Sequence, residues 1–199
     1  MAKSPFTMLL SQKFSIQRDE AKLLKINDKS INKYKSTQIF IDESIGKKLP
    51  ASDKSFLLHQ AAIEGCLEKI QSIFYNFEEH ERKKIISSKN FEGCTPLHLA
   101  SKFNKVNIII YLLDNGSEIN EKSKKEKNTA LLIAAKYNMT DAANYLCERG
   151  ANVNLKNSRG LTALHFAARK GNEVLCTALM NYGCDVNSAD DGEVLLNIA

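Results

Sequence analysis

Two short apolar runs lie between Gly160 and Asn187, separated by a polar turn. The first run spans residues 164–168 and the second spans residues 174–180. In both runs the apolar residues recur three and four positions apart, a spacing that is typical of one face of an α-helix. The turn between them contains Gly171, and glycine adopts positive φ without steric cost. The pattern therefore predicts two short helices joined by a tight turn.

Similar segments precede this one along the chain. Helices of fewer than about ten residues are marginal in water on their own, so such a unit needs neighbours that bury its apolar face. The first helix has counterparts that start at residues 56, 95 and 129, with the sequences FLLHQAAIEG, TPLHLASKFN and TALLIAAKYN beside TALHFAARKG at 162. A partial copy, VLLNIA, covers residues 194–199. The well-formed copies recur every 33 to 34 residues, and the longer distance from His59 to His98 indicates an insertion, which we expect within residues 77–88.

This period and these motifs resemble the ankyrin repeats, which recur every 33 residues with a T-P-L-H-x-A signature. TPLHLA at residues 95–100 matches the signature, and TALHFA at residues 162–167 has Ala in place of Pro. The resemblance implies an all-α solenoid of stacked helix-turn-helix units with β-hairpin fingers. It divides the chain into a lead-in, residues 1–52, and an ankyrin-repeat domain, residues 53–199, with about four repeats and a truncated fifth.

Two sets of apolar residues are predicted to hold the stack together. Small residues in the first helices allow neighbouring repeats to approach closely, and leucines in the second helices form an apolar seam. These residues are Ala61, Ala62, Ala100, Ala134, Ala135, Ala167 and Ala168 in the first helices, and Leu112, Leu113, Leu146 and Leu179 in the second helices. The third copy has Lys127, Ala130 and Leu132 where the pattern places Gly, Pro and His, so we expect a looser entrance turn there.

The final copy stops at Ala199, within or just after its first helix. Its apolar residues have no second helix to cover them, and no polar capping repeat follows, although a repeat stack needs one for solubility. We therefore expect this chain to be a fragment of a longer array.

The basic character of the chain belongs to its amino-terminal segment. Residues 1–50 contain ten Lys and Arg against five acidic residues, whereas the remainder is neutral. Such an arm can favour anionic membranes or nucleic acid, but its basic residues are mostly spaced singly, which also suits a merely solvated segment. We expect residues 1–52 to be a partly ordered lead-in.

Composition bears on the location of the protein. Its five cysteines are an odd number without a CxxC pair, which suits reduced thiols better than a disulfide framework or a zinc site. No apolar run approaches 18 residues, and the start of the chain is too polar after Leu10 for a secretory signal. The sequence predicts a cytoplasmic protein without membrane insertion in this segment.

The sequence offers no strong catalytic or metal-binding motif. Cys94 and His98 form a possible ligand pair, but zinc needs four converging ligands and no second pair matches them. His98 and His165 occupy the signature position, where we expect imidazole to hydrogen-bond between adjacent turns. Phosphate-binding and nucleophile-elbow motifs are absent from the sequence. We therefore predict no enzyme, no metal and no cofactor.

A lysine cluster at residues 122–127 is the best candidate for contact with nucleic acid. Glu121 and Glu126 are interleaved with the lysines, and no aromatic stacking surface accompanies them. We expect a solvated loop there and no nucleic-acid partner.

Protein binding remains as the predicted function. Ankyrin stacks generally bind protein partners on the concave side, through the finger tips and the exposed side of the first helices. The matching positions here are Phe91, Glu92, Lys102, Phe103, Lys125, Lys136, Tyr137, Arg159, Arg169 and Lys170. Phe103 and Tyr137 stand out, because aromatic residues are frequent anchors of protein interfaces. The alternative is that all of these are ordinary solvated turn residues.

Residues 53–65, DKSFLLHQAAIEG, and residues 91–98, FEGCTPLH, resemble more specifically the first repeats of the A-type transient receptor potential channels. That resemblance implies the cytosolic amino-terminal ankyrin domain of a cation channel, at the cytosolic face of a membrane, with a role in ion transport and sensory signalling. The pore would then lie beyond residue 199. The competing interpretation is a soluble adaptor or scaffold.

Asn154 and Asn187 lie in the turns ANVN and CDVN. The ankyrin resemblance marks both as positions of the type that asparaginyl hydroxylases modify. The alternative is structural, because Asn bonds its own backbone and tolerates turn geometry.

Overall fold

The structure, a computed structural model, describes residues 51–75, 77 and 79–187 as a row of short helices joined by turns. The helices are α1 (Ala51–Glu64), α2 (Leu67–Tyr75), α3 (Glu79–Ile86), α4 (Pro96–Lys102), α5 (Val106–Asp114), α6 (Ala130–Lys136), α7 (Thr140–Glu148), α8 (Ala163–Arg169) and α9 (Glu173–Asn181). The predicted lead-in up to residue 50 and the predicted truncated repeat after residue 187 lie outside the described residues. The domain boundary at residues 52 and 53 stays a prediction.

Four helix pairs follow one another: α1 with α2, α4 with α5, α6 with α7, and α8 with α9. Each pair is joined by a turn of two or three residues that contains one left-handed residue. These residues are Gly65, Asn104, Asn138 and Gly171, with φ of 77, 54, 61 and 64°. Glycine carries no Cβ penalty in this conformation, and Asn is the side chain that tolerates it best. The turn predicted at Gly171 is therefore confirmed, and it is the same turn in every pair.

The turn is closed by a backbone bond to an alanine of the first helix. The amides of Cys66, Lys105, Met139 and Asn172 donate to the carbonyls of Ala61, Ala100, Ala134 and Ala167, at 3.2, 2.9, 2.8 and 3.0 Å. Such a bond satisfies a carbonyl that the end of the helix would otherwise leave unpaired. These alanines therefore have two roles: their carbonyl groups close the turns, and their methyl groups pack in the core.

The core runs along the stack as the sequence predicts. Each first helix contacts the next one along the stack: α1 contacts α4, α4 contacts α6, and α6 contacts α8. The second helices contact one another in the same order, from α2 to α5, α7 and α9. The predicted alanines are at most 1% exposed, except that Ala168 is half-buried. In the seam Leu112, Leu146 and Leu179 are fully buried, and Leu113 is half-buried. Small residues in the first helices therefore allow the repeats to stack closely.

An additional helix, α3, lies in the interval where the sequence predicts an insertion. It packs on α1 and buries Ile85 and Ile86. Just beyond it, the Ser88 hydroxyl lies 2.7 Å from the Ser55 hydroxyl of α1. The insertion therefore forms an ordered helix that leads the chain into the next repeat.

Three short loops, here called fingers, precede the first helices of the later repeats. The first finger spans residues 90–94, the second 123–128 and the third 157–161. Each is closed by a backbone bond from its first residue to its last, with N···O distances of 2.9, 2.8 and 3.0 Å. Adjacent fingers also bond to each other, since Lys124 N–H donates to Gly93 O and Ser158 N–H donates to Glu126 O, both at 2.9 Å.

The predicted β-hairpin form of these fingers is not confirmed. The fingers contain turns, and no strand occurs in the part of the chain that the structure describes. In an antiparallel β-ladder, two facing residues exchange two backbone hydrogen bonds, so each finger would need a second backbone bond between its first and last residues. Here the amides of Cys94, Asn128 and Leu161 instead donate to the side chains of Asn90, Ser123 and Asn157, at 2.9, 3.0 and 3.0 Å. The side chain thus occupies the place of the second backbone bond.

Gly93→Ala tests the contact between the first two fingers, with Gly150→Ala as its matched control. Both glycines have positive φ, 79° and 83°, so both variants should lose about 1–2 kcal/mol of unfolding free energy. A methyl group at Gly93 would also overlap Lys124 Cβ, whereas none of the described heavy atoms lies within 4 Å at Gly150. We expect a further loss of about 1–3 kcal/mol at Gly93 only, measured by urea unfolding. Equal losses in the two variants would contradict a tight contact between these fingers.

Candidate functional site

Buried histidines connect each of the first two repeats to the finger of the next one. His59 and His98 are 5% and 1% exposed. His59 Nε2 donates to Cys94 O at 3.0 Å, and His98 Nε2 donates to Asn128 O at 2.9 Å. The role expected for the signature histidine is therefore confirmed at His98, where imidazole bridges adjacent repeats.

The hydrogen bonds of His98 define its tautomer. Its Nδ1 accepts from Thr95 N–H at 3.1 Å and lies 2.7 Å from Thr95 Oγ1, so the proton of the neutral ring is on Nε2. His165 makes the same pair of contacts with Thr162, at 3.2 and 2.8 Å. Burial lowers the pKa of His98 below its ordinary value, which favours this neutral form.

The third repeat departs from this scheme. Leu132 stands at the histidine position and has no polar atom with which to bridge to the next finger. Its own entrance turn, the second finger, is one residue longer than the other two and contains Lys127 with φ of 56°. Two bonds between Ser123 and Asn128 nevertheless close this finger, and Asn128 is only 2% exposed. The turn that the sequence predicts to be looser is thus longer, but closed.

Three of the predicted binding residues form one cluster at the ends of α4 and α6. Lys102 Nζ lies 5.5 Å from the ring centroid of Phe103 and 5.0 Å from that of Tyr137. A cation within about 6 Å of an aromatic face is attracted to it. Tyr137 remains 41% exposed. Phe103 and Tyr137, which are 34 positions apart in sequence, thus both lie close to the ammonium group of Lys102.

This cluster borders a groove of about 220 Å³ between the first two fingers and the helices α4 and α6. The groove is lined by Glu92, Cys94, His98, Leu99, Lys102, Ser123, Lys125, Glu126, Asn128, Ile133, Lys136 and Tyr137. Five of the ten predicted binding residues are in this set. The groove therefore joins residues from two fingers and two helices.

The other predicted residues lie at exposed or half-buried positions outside the groove lining. Phe91, at the tip of the first finger, is 72% exposed. Phe103 is half-buried, and Arg159, Arg169 and Lys170 are exposed. The structure thus brings half of the predicted set into one groove and leaves the remainder on the surface.

Glu126 is a residue of this groove that sequence reasoning did not select. Its carboxylate forms an ion pair with Lys136 Nζ at 2.7 Å and accepts from Asn128 Nδ2 at 2.6 Å. The hydrogen bond from Lys136 is the main reason that the pKa of Glu126 is below its ordinary value. The sequence signal was weak, because Glu126 and Lys136 are ten positions apart and face each other only across a finger and a helix.

The five cysteines are unpaired thiols with raised pKa values. Burial is the main cause for each, and it raises the pKa of Cys147 to about 11. Cys94 lines the groove, but its pKa is raised as well, so it stays a protonated thiol at neutral pH. Within residues 51–75, 77 and 79–187 no cluster of three or more His, Cys, Asp or Glu is arranged to hold a metal. None of the helices described has the length and apolar character needed to cross a bilayer.

The two asparagines singled out for modification are both exposed. Asn154 is tied to the end of the next repeat, because its Oδ1 accepts from Asp185 N–H at 2.7 Å and its Nδ2 donates to Gly183 O at 3.2 Å. The backbone amide of Asn187 donates to Asp185 Oδ1 at 2.9 Å. These contacts support the alternative interpretation, in which Asn154 has a structural role in the turn.

Comparison with known proteins identifies the repeats. A family model described as ankyrin repeats, three copies to the model, matches residues 28–123, 58–157 and 120–190. The first match begins inside the segment that the sequence assigns to the lead-in. A curated relative from Drosophila melanogaster, transient receptor potential cation channel subfamily A member 1, is 29% identical over 76 residues. That alignment covers 38% of this chain and 6% of the relative, so the chain spans a small part of that protein.

His98→Leu tests the histidine bridge, and Leu132 shows that this position accepts leucine. We expect a loss of about 2 kcal/mol at pH 7, because the buried amide of Thr95 loses its acceptor. Since burial lowers the pKa of folded His98, only the unfolded chain gains this proton as the pH falls below 6.5. The stability that His98 contributes is therefore full above pH 6.5 and is lost below it. Urea unfolding between pH 7.5 and 5 should show a shallower pH dependence in the variant.

The control for this prediction is Gln71→Leu, which places leucine at an exposed position of α2 that carries no titratable group. It should leave the pH dependence of unfolding close to that of the original chain. Identical pH dependence in all three proteins would contradict the proposed tautomer and burial of His98.

Proposed function

The chain belongs to the ankyrin-repeat family, and we propose that it is a non-enzymatic module that binds other proteins through the groove and the finger tips. The observation that carries this proposal is the cluster of Phe103, Lys102 and Tyr137 at the edge of the groove. In this proposal the turn-tipped fingers take the role that the sequence assigned to β-hairpins.

The cluster has the physical character of an interface anchor. Aromatic side chains offer a large apolar area with few rotatable bonds, so they lose little entropy when a partner covers them. The ammonium group of Lys102 lies close to the rings of both Phe103 and Tyr137, and Tyr137 is substantially exposed. Phe91, Arg159, Arg169 and Lys170 form the outer part of the proposed surface. Arg is likewise enriched among the residues that dominate binding energy.

Phe103→Ala combined with Tyr137→Ala tests this proposal. The full chain and the double variant are immobilised, and protein captured from lysate of the source organism is quantified. Each truncated anchor residue typically costs 1–2 kcal/mol or more, so we expect capture affinity to fall by about tenfold or more. A circular dichroism melt of each variant establishes that the fold is retained.

The matched control is Tyr75→Ala combined with Tyr182→Ala. Both tyrosines are exposed, 72% and 45%, and neither lines the groove. This variant should capture the same partner as the original chain. Two results would contradict the proposed binding surface: unchanged capture by the folded variant with Phe103→Ala and Tyr137→Ala, or an equal loss of capture in the control.

A second candidate rests on the similarity to the Drosophila cation channel. We infer that this chain is the cytosolic ankyrin region of such a channel, and hence a fragment of a longer array that takes part in ion transport and sensory signalling. Sequencing the full-length transcript in the source organism tests this. A reading frame that continues past residue 199 into further repeats and hydrophobic segments supports the channel. A stop codon soon after one capping repeat supports a soluble cytoplasmic adaptor instead.

Asn154 and Asn187 are retained as proposed hydroxylation positions, because both side chains are exposed at the same place in successive repeats. Hydroxylation of Asn154 would require its two bonds to the next repeat to open. Mass spectrometry of the native protein tests the proposal, since peptides without an added oxygen atom at either position would refute it.

A further inference from the structure

Basic and acidic residues are unequally distributed over the later repeats. The finger tips and the ends of the first helices comprise residues 91–93, 101–103, 124–127, 135–137, 158–160 and 168–170. Together they contain eight Lys or Arg and two Glu. The rest of residues 91–187 contains four Lys or Arg and seven Asp or Glu. The surface proposed to bind protein is therefore basic, and the remainder of these repeats is acidic.

Most of these basic side chains have no ion-pair partner among the described residues. Lys136 is neutralised by Glu126, at 2.7 Å. In the part of the chain that the structure describes, no carboxylate lies within ion-pair distance of Lys102, Lys125, Arg159, Arg169 or Lys170. Positive charges without internal partners are available to attract and hold an anionic ligand.

We propose that the partner of this surface is an acidic, extended peptide segment of another protein, and this proposal rests on the proposed function. Neighbouring packed helices are about 8–10 Å apart, and an extended chain advances about 3.3 Å per residue. One repeat therefore corresponds to about three residues of peptide. A segment with carboxylates at every third position would meet Lys125 at the third repeat and Arg159, Arg169 and Lys170 at the fourth repeat. An apolar side chain of the peptide would pack on Phe103 and Tyr137.

The acidic residues of the groove favour a peptide over nucleic acid as the anion. Glu92 and Glu126 line the groove beside the lysines. A nucleic acid carries a charge on every phosphate and would meet repulsion at these two carboxylates. A peptide has carboxylates only at some positions, and its backbone N–H groups can donate to Glu92. The mixture of charges in the groove thus suits a chain whose own charges are intermittent.

Fluorescence anisotropy with the full chain tests the proposal directly. The probes are a labelled twelve-residue peptide with Glu at every third position and one Phe, the same peptide with Gln in place of Glu, and a single-stranded DNA of twelve nucleotides. We expect the Glu peptide to bind at least about tenfold more tightly than the Gln peptide, a difference of about 1.4 kcal/mol. Its affinity should weaken as the salt concentration rises, because exposed charges are screened.

Charge reversal locates the binding surface. Lys125→Glu combined with Arg159→Glu should weaken binding of the Glu peptide by about tenfold or more. Lys83→Glu combined with Lys84→Glu changes the net charge equally at two exposed positions of α3, and it should leave the affinity within about twofold. All four changes lie at exposed residues, so the fold should be retained in both variants.

Three results would overturn the proposal: equal affinity for the Glu and Gln peptides, tighter binding of the DNA than of the Glu peptide, or equal effects of the two charge reversals. The lysate capture assay separates this failure from failure of the proposed function. If Phe103→Ala with Tyr137→Ala abolishes capture while Lys125→Glu with Arg159→Glu leaves it intact, protein binding stands and the acidic partner is refuted. If neither pair of changes alters capture, both proposals fail.

Discussion

Two hydrogen bonds meet at the carbonyl oxygen that ends each of the first two fingers, and the geometry of the groove depends on them. One bond comes from the amide that opens the same finger, and the other comes from a histidine of the preceding repeat. At Cys94 that histidine is His59, and at Asn128 it is His98. The orientation of a finger is thus fixed by the repeat before it. The second finger held in this way carries Lys125 and Glu126, which line the same groove as Lys102.

The third finger is held differently, because Leu132 cannot donate to Leu161 O. It relies on its contacts with the second finger, one of which matches the Lys124–Gly93 bond between the first two fingers. Ser158 N–H donates to Glu126 O at 2.9 Å, and the side-chain amide of Asn157 donates to Asn128 Oδ1 at 3.1 Å. Both bonds connect the third finger to the second finger, and neither involves a helix. The position of Arg159 is therefore set by the same finger that carries much of the groove.

The sequence was a good guide wherever structure follows from local spacing. Period, helix pairs, left-handed turns and the alanine column all depend on residues within one repeat, and these features are present in the described residues. It was a poorer guide where contacts cross between elements. The β-hairpin form was expected from resemblance, but the side chains of Asn90 and Asn157 accept the bonds that a ladder would require. The pairing of Glu126 with Lys136 likewise could not be predicted, because spacing alone does not show which faces meet.

The leucine at position 132 also bears on how the third and fourth repeats are joined. In a repeat protein each unit contacts only its neighbours, so stability is close to a sum of local terms along the row. The interface between the third and fourth repeats lacks the histidine bridge that both earlier interfaces have. The bonds between the second and third fingers cross this interface, so its strength depends on those fingers. A ligand that spans this interface would hold the two sides together and stabilise the folded row in proportion to its occupancy. Binding and folding would then be coupled through the fingers at this interface.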